Sequence, residues 1–115
     1  MIVDDGHELI ALTLKTETMA KYGAVGTGVT TAAAGDTALE QEEGTRVTST
    51  ITNTGKTFTY VSVFGANNPV GAEAITEFGL LTASANGTLF VREVFSAVNK
   101  ETADSLTFTT VCTVA

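Results

Sequence analysis

Tryptophan is absent from this 115-residue chain, and proline, cysteine and histidine occur once each. The lone Cys112 closes no internal disulfide, so folding has to rest on a packed interior. The lone imidazole, His7, leaves no histidine cluster for a metal and no further imidazole to serve as base for a serine or cysteine nucleophile. Beside Asp4, Asp5 and Glu8 it reads as part of a solvated segment. Basic residues are also scarce: 6 Lys and Arg stand against 13 Asp and Glu, a formal net charge of -7. Nucleic-acid binders gather basic side chains on one face, and an anionic membrane repels a chain of this sign, so neither partner is expected. No stretch approaches the ~20 apolar residues of a membrane-spanning helix. The opening MIVDDGHELI carries acids where a secretory signal carries positive charge, which predicts synthesis in the cytoplasm.

Charge of either sign is sparse as well, at 17% of residues, below the usual quarter. Threonine, alanine and glycine must therefore cover much of the surface, a composition suited to contact with a partner. The length fits one domain spanning 1-115. No repeat, low-complexity tail or linker composition divides it.

What the chain does have is threonine or serine alternating with apolar residues. Successive strand side chains point to opposite faces. In Arg46 to Thr52, Val47, Ser49 and Ile51 then fall on one face and Thr48, Thr50 and Thr52 on the other. Thr57 to Phe64 sends Phe58, Tyr60 and Phe64 opposite Thr57, Thr59, Val61 and Val63. Leu106 to Val114 sends Leu106, Phe108, Cys112 and Val114 opposite Thr107, Thr109, Val111 and Thr113. A helix would need apolar spacings of three and four. The predicted fold is all-β: an antiparallel β-sandwich, jelly-roll-like or Ig-like, with about six or seven strands and at most one or two short helices. Phe58, Tyr60, Phe64, Phe90 or Leu89, Phe95 and Phe108 are the expected core, since aromatics bury the most area, and Cys112 joins them because free cysteine favours burial.

Between the strands the punctuation is clear. Asn53 to Lys56 reads as a hairpin turn, Asn86-Gly87 as another, Asn67-Asn68-Pro69 as a break outside every strand, and Asn99 to Asp104 as the approach to the last strand. A first strand is expected before or around Met19 to Val25. Gly23 to Gly44, rich in glycine, alanine and threonine, reads as a long excursion off the sheet with a helical turn at Thr37 to Glu42. Residues 4 to 16 suit two readings. Asp4 and Asp5 are candidate N-caps for a short helix containing Leu9, Ile10, Leu12 and Leu14, whereas Ile10, Leu12 and Leu14 also alternate, and Thr13, Thr16 and Thr18 favour strand. The Leu106 to Val114 strand is long, uncharged and free of proline, an edge that needs cover if exposed.

Few residues invite chemistry. Gly23, Gly26 and Gly28 in YGAVGTG lack the Gly-Lys-Ser/Thr of a phosphate loop and the spacing of a dinucleotide fingerprint, and read as glycines turning the chain off a strand end. Glu40, Glu42 and Glu43, with Asp36 upstream, read first as a solvated acidic face. Contact with basic residues of a neighbouring subunit is the next reading, and calcium ligation the last, since no EF-hand spacing is present. Asn86-Gly87-Thr88 matches a glycosylation sequon but reads as a turn. Ile75 to Gly79 is assigned to structure and contact. No catalytic, cofactor-binding or metal-binding residue is assigned, and no cofactor is expected.

Taken in order, four segments carry a resemblance: Tyr22-Gly23-Ala24-Val25-Gly26-Thr27-Gly28; Asp36-Thr37-Ala38-Leu39 followed by Glu43 and Arg46; Ala74-Ile75-Thr76-Glu77-Phe78-Gly79-Leu80; and Gly87-Thr88-Leu89 leading to Val94-Phe95 and Val98-Asn99-Lys100. The series resembles a group of small structural proteins of tailed-bacteriophage virions over roughly residues 20 to 114, departing most at Met1 to Thr18. That resemblance implies a β-rich, non-enzymatic particle protein, made in the host cytoplasm and located in the virion. The favoured role is a capsid decoration (cement) protein that docks on the major capsid protein and forms a homo-oligomer, trimer or dimer. The alternative is a tail, baseplate or fibre-attachment subunit bound to other virion proteins, and a remote alternative is a cytosolic ligand-binding β domain.

Overall fold

A computed structural model describes residues 21–54 and 57–113. His7, the helix-or-strand reading of residues 4 to 16, and Val114 lie outside the described residues. Seven strands follow in chain order: β1 (Tyr22–Gly26), β2 (Glu42–Thr48), β3 (Thr50–Thr54), β4 (Thr57–Phe64), β5 (Glu73–Leu81), β6 (Leu89–Lys100) and β7 (Leu106–Thr113). They form two sheets, β2-β1-β5-β6 and β3-β4-β7, in which all pairings are antiparallel. The sheets pack face to face as a β-sandwich, and no helix occurs among the described residues.

The alternation in the sequence places side chains as expected. Phe58, Tyr60, Ser62 and Phe64 of β4 turn inward, as do Leu106, Phe108 and Cys112 of β7, while Val63, Thr107, Thr109, Val111 and Thr113 are exposed. From the other sheet Val25, Ile75, Phe78, Leu80, Phe90 and Val91 meet them in one cluster. Aromatic edges and faces lock the centre. Phe64 meets Phe108 edge-on at 6.0 Å, Phe78 stacks on Phe108 at 4.6 Å, and Tyr60 tilts against Phe90 at 6.1 Å. Burying a side chain such as Phe64 fully contributes about 1.5–3 kcal/mol. Phe78, in the Ile75 to Gly79 segment assigned to structure and contact, is not among the expected core residues, yet it is 2% exposed. Phe58, Phe95 and Phe108 are only partly buried.

Several boundaries differ from the sequence reading. The excursion expected over Gly23 to Gly44 covers only residues 27 to 41, because Gly23 to Gly26 belong to β1 and Glu42 to Gly44 to β2, and β6 continues through Asn99 and Lys100. Arg46 to Thr52 is not one strand: the run is divided at Ser49, with β2 in the four-stranded sheet and β3 in the three-stranded one. The face assignment survives the division because the alternation continues through the crossing. Ser49 is buried, its hydroxyl 2.6 Å from that of Ser62, and its amide donates to the Lys21 carbonyl. No helical turn forms at Thr37 to Glu42; that segment is irregular and enters β2 at Glu42. Its backbone amides are drawn to a carboxylate on the sheet instead of to carbonyls one turn back.

Candidate functional site

The sandwich has two outer faces, and the chain treats them differently. Along β5 the inward Phe78 and Leu80 alternate with Glu77, Gly79 and Leu81, and next door Arg92 of β6 pairs with Gly79. Across the outward set runs a strap, residues 27 to 41, linking β1 to β2. Leu39 closes a small apolar cluster with Ala24, Leu81 and Leu89. Seven consecutive residues of β5, Ile75 to Leu81, are buried, which is possible only for a strand covered on both faces.

Glu77, fully buried, is the anchor of the strap. Its carboxylate accepts hydrogen bonds from the amides of Gly28 (2.8 Å), Gln41 (2.8 Å) and Glu40 (3.0 Å), and from Arg92 Nε (3.0 Å). Arg92, 2% exposed, reaches on through Nη1 to Asp36 Oδ2 at 3.0 Å, and the same oxygen accepts from the Ala33 amide. The Thr76 hydroxyl donates to the Gly28 carbonyl at 2.7 Å. Gly28 has to be glycine for close approach: a Cβ there would fall 2.8 Å from the Glu77 carboxyl carbon. Farther along, Glu40 accepts from the amides of Val29 and Thr30 and from the Thr30 hydroxyl.

Burial by itself pushes Glu77 up, but the amides of Gln41 and Glu40, then Arg92 and Gly28, more than offset it and hold the carboxyl below its ordinary value. For Arg92 burial pulls downward and its two carboxylates outweigh that, so its pKa is raised. Glu40 is lowered by hydrogen bonds from Thr30 and Val29. A carboxylate offers about four lone-pair positions, and four donors fill those of Glu77. The arrangement suits holding a backbone in place and leaves that carboxylate no position for a substrate proton.

The sequence readings sort accordingly. The acidic cluster is largely taken up internally: Asp36 and Glu40 organise the strap, and Glu42 makes a bidentate pair with Arg46, whose other nitrogen donates to the Ala83 and Asn86 carbonyls. Among the described residues no group of three or more His, Cys, Asp or Glu converges on a metal position. Of the glycines of YGAVGTG expected to turn the chain off a strand end, Gly26 ends β1 and Gly28 follows it, whereas Gly23 lies inside the strand. A Cβ on Gly23 would lie 2.5 Å from the Ser62 hydroxyl oxygen, so its requirement is the closeness of the two sheets. Asn86-Gly87 is a turn with positive φ at both residues, and Asn67 has positive φ before the cis Asn68-Pro69 bond. Cys112 is buried and its pKa raised by that burial. Glu77 and Arg92 were missed, although Glu77 is the single charge in the apolar run AITEFGLL and Arg92, beside Glu93, interrupts the apolar run LFVREVF with the opposite sign.

No segment crosses the other outer face among the described residues. Thr50 and Thr52 of β3, Thr57, Thr59, Val61 and Val63 of β4, and Thr107, Thr109, Val111 and Thr113 of β7 form a sheet surface without a single charge. Val63 is 50% and Val111 61% exposed. At its margin β7 pairs with β4 over eight residues with no bulge, and among the described residues no strand pairs with its other side. The edges of the strapped sheet differ: β2 carries Glu42, Glu43 and Arg46, and β6 carries Arg92, Glu93 and Lys100 with register shifts.

Fold and surface together define a β-sandwich with one outer face covered by its own strap and, among the described residues, the other left open. The sequence matches no protein-family model and no curated protein.

Proposed function

We propose that this chain is a structural subunit of a tailed-bacteriophage particle, a capsid decoration protein that acts by contact and not by catalysis. The observation that carries the reading is the uncharged threonine-valine face with the undefended β7 edge, on a chain of net charge -7. Exposed unpaired strand edges are ordinarily protected by charge, proline or bulges; β7 has none of these and, among the described residues, no strand on its outer side, which suits it to being covered in an assembly. The resemblance of the four segments to virion proteins supports the same reading from the sequence side. A docked decoration protein would use the major capsid protein as its partner, at junctions between shell subunits.

Quantitative mass spectrometry of purified virions tests this. A decorator following shell symmetry is expected on the order of tens to hundreds of copies per particle. A handful of copies would assign the protein to the tail, baseplate or fibre attachment instead, and absence from particles would defeat the structural reading. A ligand that raises the melting temperature of the isolated protein would favour a binding domain.

A further inference from the structure

We propose that two copies of this chain pair through β7, edge to edge and antiparallel across a two-fold axis, merging their three-stranded sheets into one six-stranded sheet. The proposal deepens the assembly reading, on which its biological use rests, but its physical argument is confined to the edge.

Among the described residues no strand pairs with the outer side of β7, and an unpaired strand edge presents a row of amides and carbonyls that recruits another strand. β7 is suited to this by its length, its regular register against β4 and the absence of proline, bulge and charge. The occupant follows from charge. Two chains of net charge -7 repel at most approaches, and like charges directly opposite across strands destabilise. At β7 the side chains brought together are only threonines and valine on the outward face, with Leu106, Phe108 and Cys112 on the inward one. An antiparallel pair of identical strands is self-complementary, as a two-fold contact requires. The outward faces of both copies would then align as one continuous threonine-valine surface.

Sedimentation velocity over a concentration series, with the full chain and single-residue variants, is the test. The unmodified chain is expected to dimerise. Thr109→Lys and Val111→Lys place a cation on the edge strand and are expected to give monomers with an unchanged far-UV spectrum. Each variant changes the net charge from -7 to -6, so overall repulsion falls and any loss of pairing is local. Val63→Lys makes the same charge change on the same outward face but in the central strand β4, and is expected to leave the dimer intact. Hydrogen exchange of the unmodified chain should show slow amides along the whole of β7 that become fast at alternate positions on dilution. A chain monomeric at every concentration overturns the proposal, whether its β7 amides exchange fast or are protected by the chain itself. A dimer indifferent to both β7 lysines, or one lost equally with Val63→Lys, overturns edge pairing too. None of these outcomes alters the virion copy number, so failure of the pair and failure of the particle reading are separable.

Discussion

One outer face of this sandwich is covered by its own chain and the other is left open among the described residues, and the two are built from different chemistry. Beneath the strap lie a buried carboxylate and guanidinium, small residues and backbone amides drawn to a common centre. The open face carries threonine and valine in regular alternation. The lesson concerns how each face is specified. An open face needs only a period of two, because water accepts any side chain there. A covered face needs each polar group matched, because a buried charge without a partner is costly.

Breaking the covered side should have the largest effect. Glu77→Gln leaves Arg92 facing a neutral amide and removes an acceptor from the strap amides; it is expected to destabilise by about 3 to 5 kcal/mol in chemical denaturation. Phe64→Ala, which empties the interior shared by both sheets, should cost about 3 to 5 kcal/mol and serves as the reference that favours neither face. A Glu77→Gln loss far below the Phe64→Ala loss would mean that the strap is held chiefly by Leu39 and its neighbours.

The pH profile separates the two sides without mutation. Glu77 has a folded pKa below its ordinary 4.5, so its contribution is complete above about 4.5 and is lost as pH falls through the folded value. Acid should therefore release the strap, seen as faster amide exchange at Gly28, Glu40 and Gln41 before β4 and β7 respond. Tyr60, on β4 of the open-faced sheet, is pushed up to about 12, first by burial. Its contribution is intact below its ordinary 10 and is lost as pH rises from there through the folded value of about 12. Alkali should accordingly loosen β4 and its neighbours before the strap.

Smaller effects sharpen the contrast. Asp36→Asn weakens the outer link to Arg92 while Glu77 stays in place, and is expected to cost about 1 kcal/mol. Thr59→Val on the open face should change monomer stability by no more than about 0.5 kcal/mol. A loss several times larger would mean that this face is covered within the monomer.

The sequence determined the all-β class, the inward and outward faces of β4 and β7, the hairpin between β3 and β4, the Asn86-Gly87 turn and the burial of Cys112. Each follows from local chemistry: a period of two, a residue able to take positive φ, or a small apolar side chain in an alternating run. Even the Arg46 to Thr52 run kept its faces, because crossing from one sheet to the other does not disturb alternation. Tertiary structure alone decided where that run divides, since only the position of Ser62 and the Lys21 carbonyl makes Ser49 the crossing point. It also decided the path of the strap. Glu77 lies 36 residues from Gln41 and 49 from Gly28 along the chain, and no local pattern announces a carboxylate that gathers amides from such distances. The folded sheet brings Glu77 and Arg92 side by side, and burial then makes their mutual satisfaction obligatory.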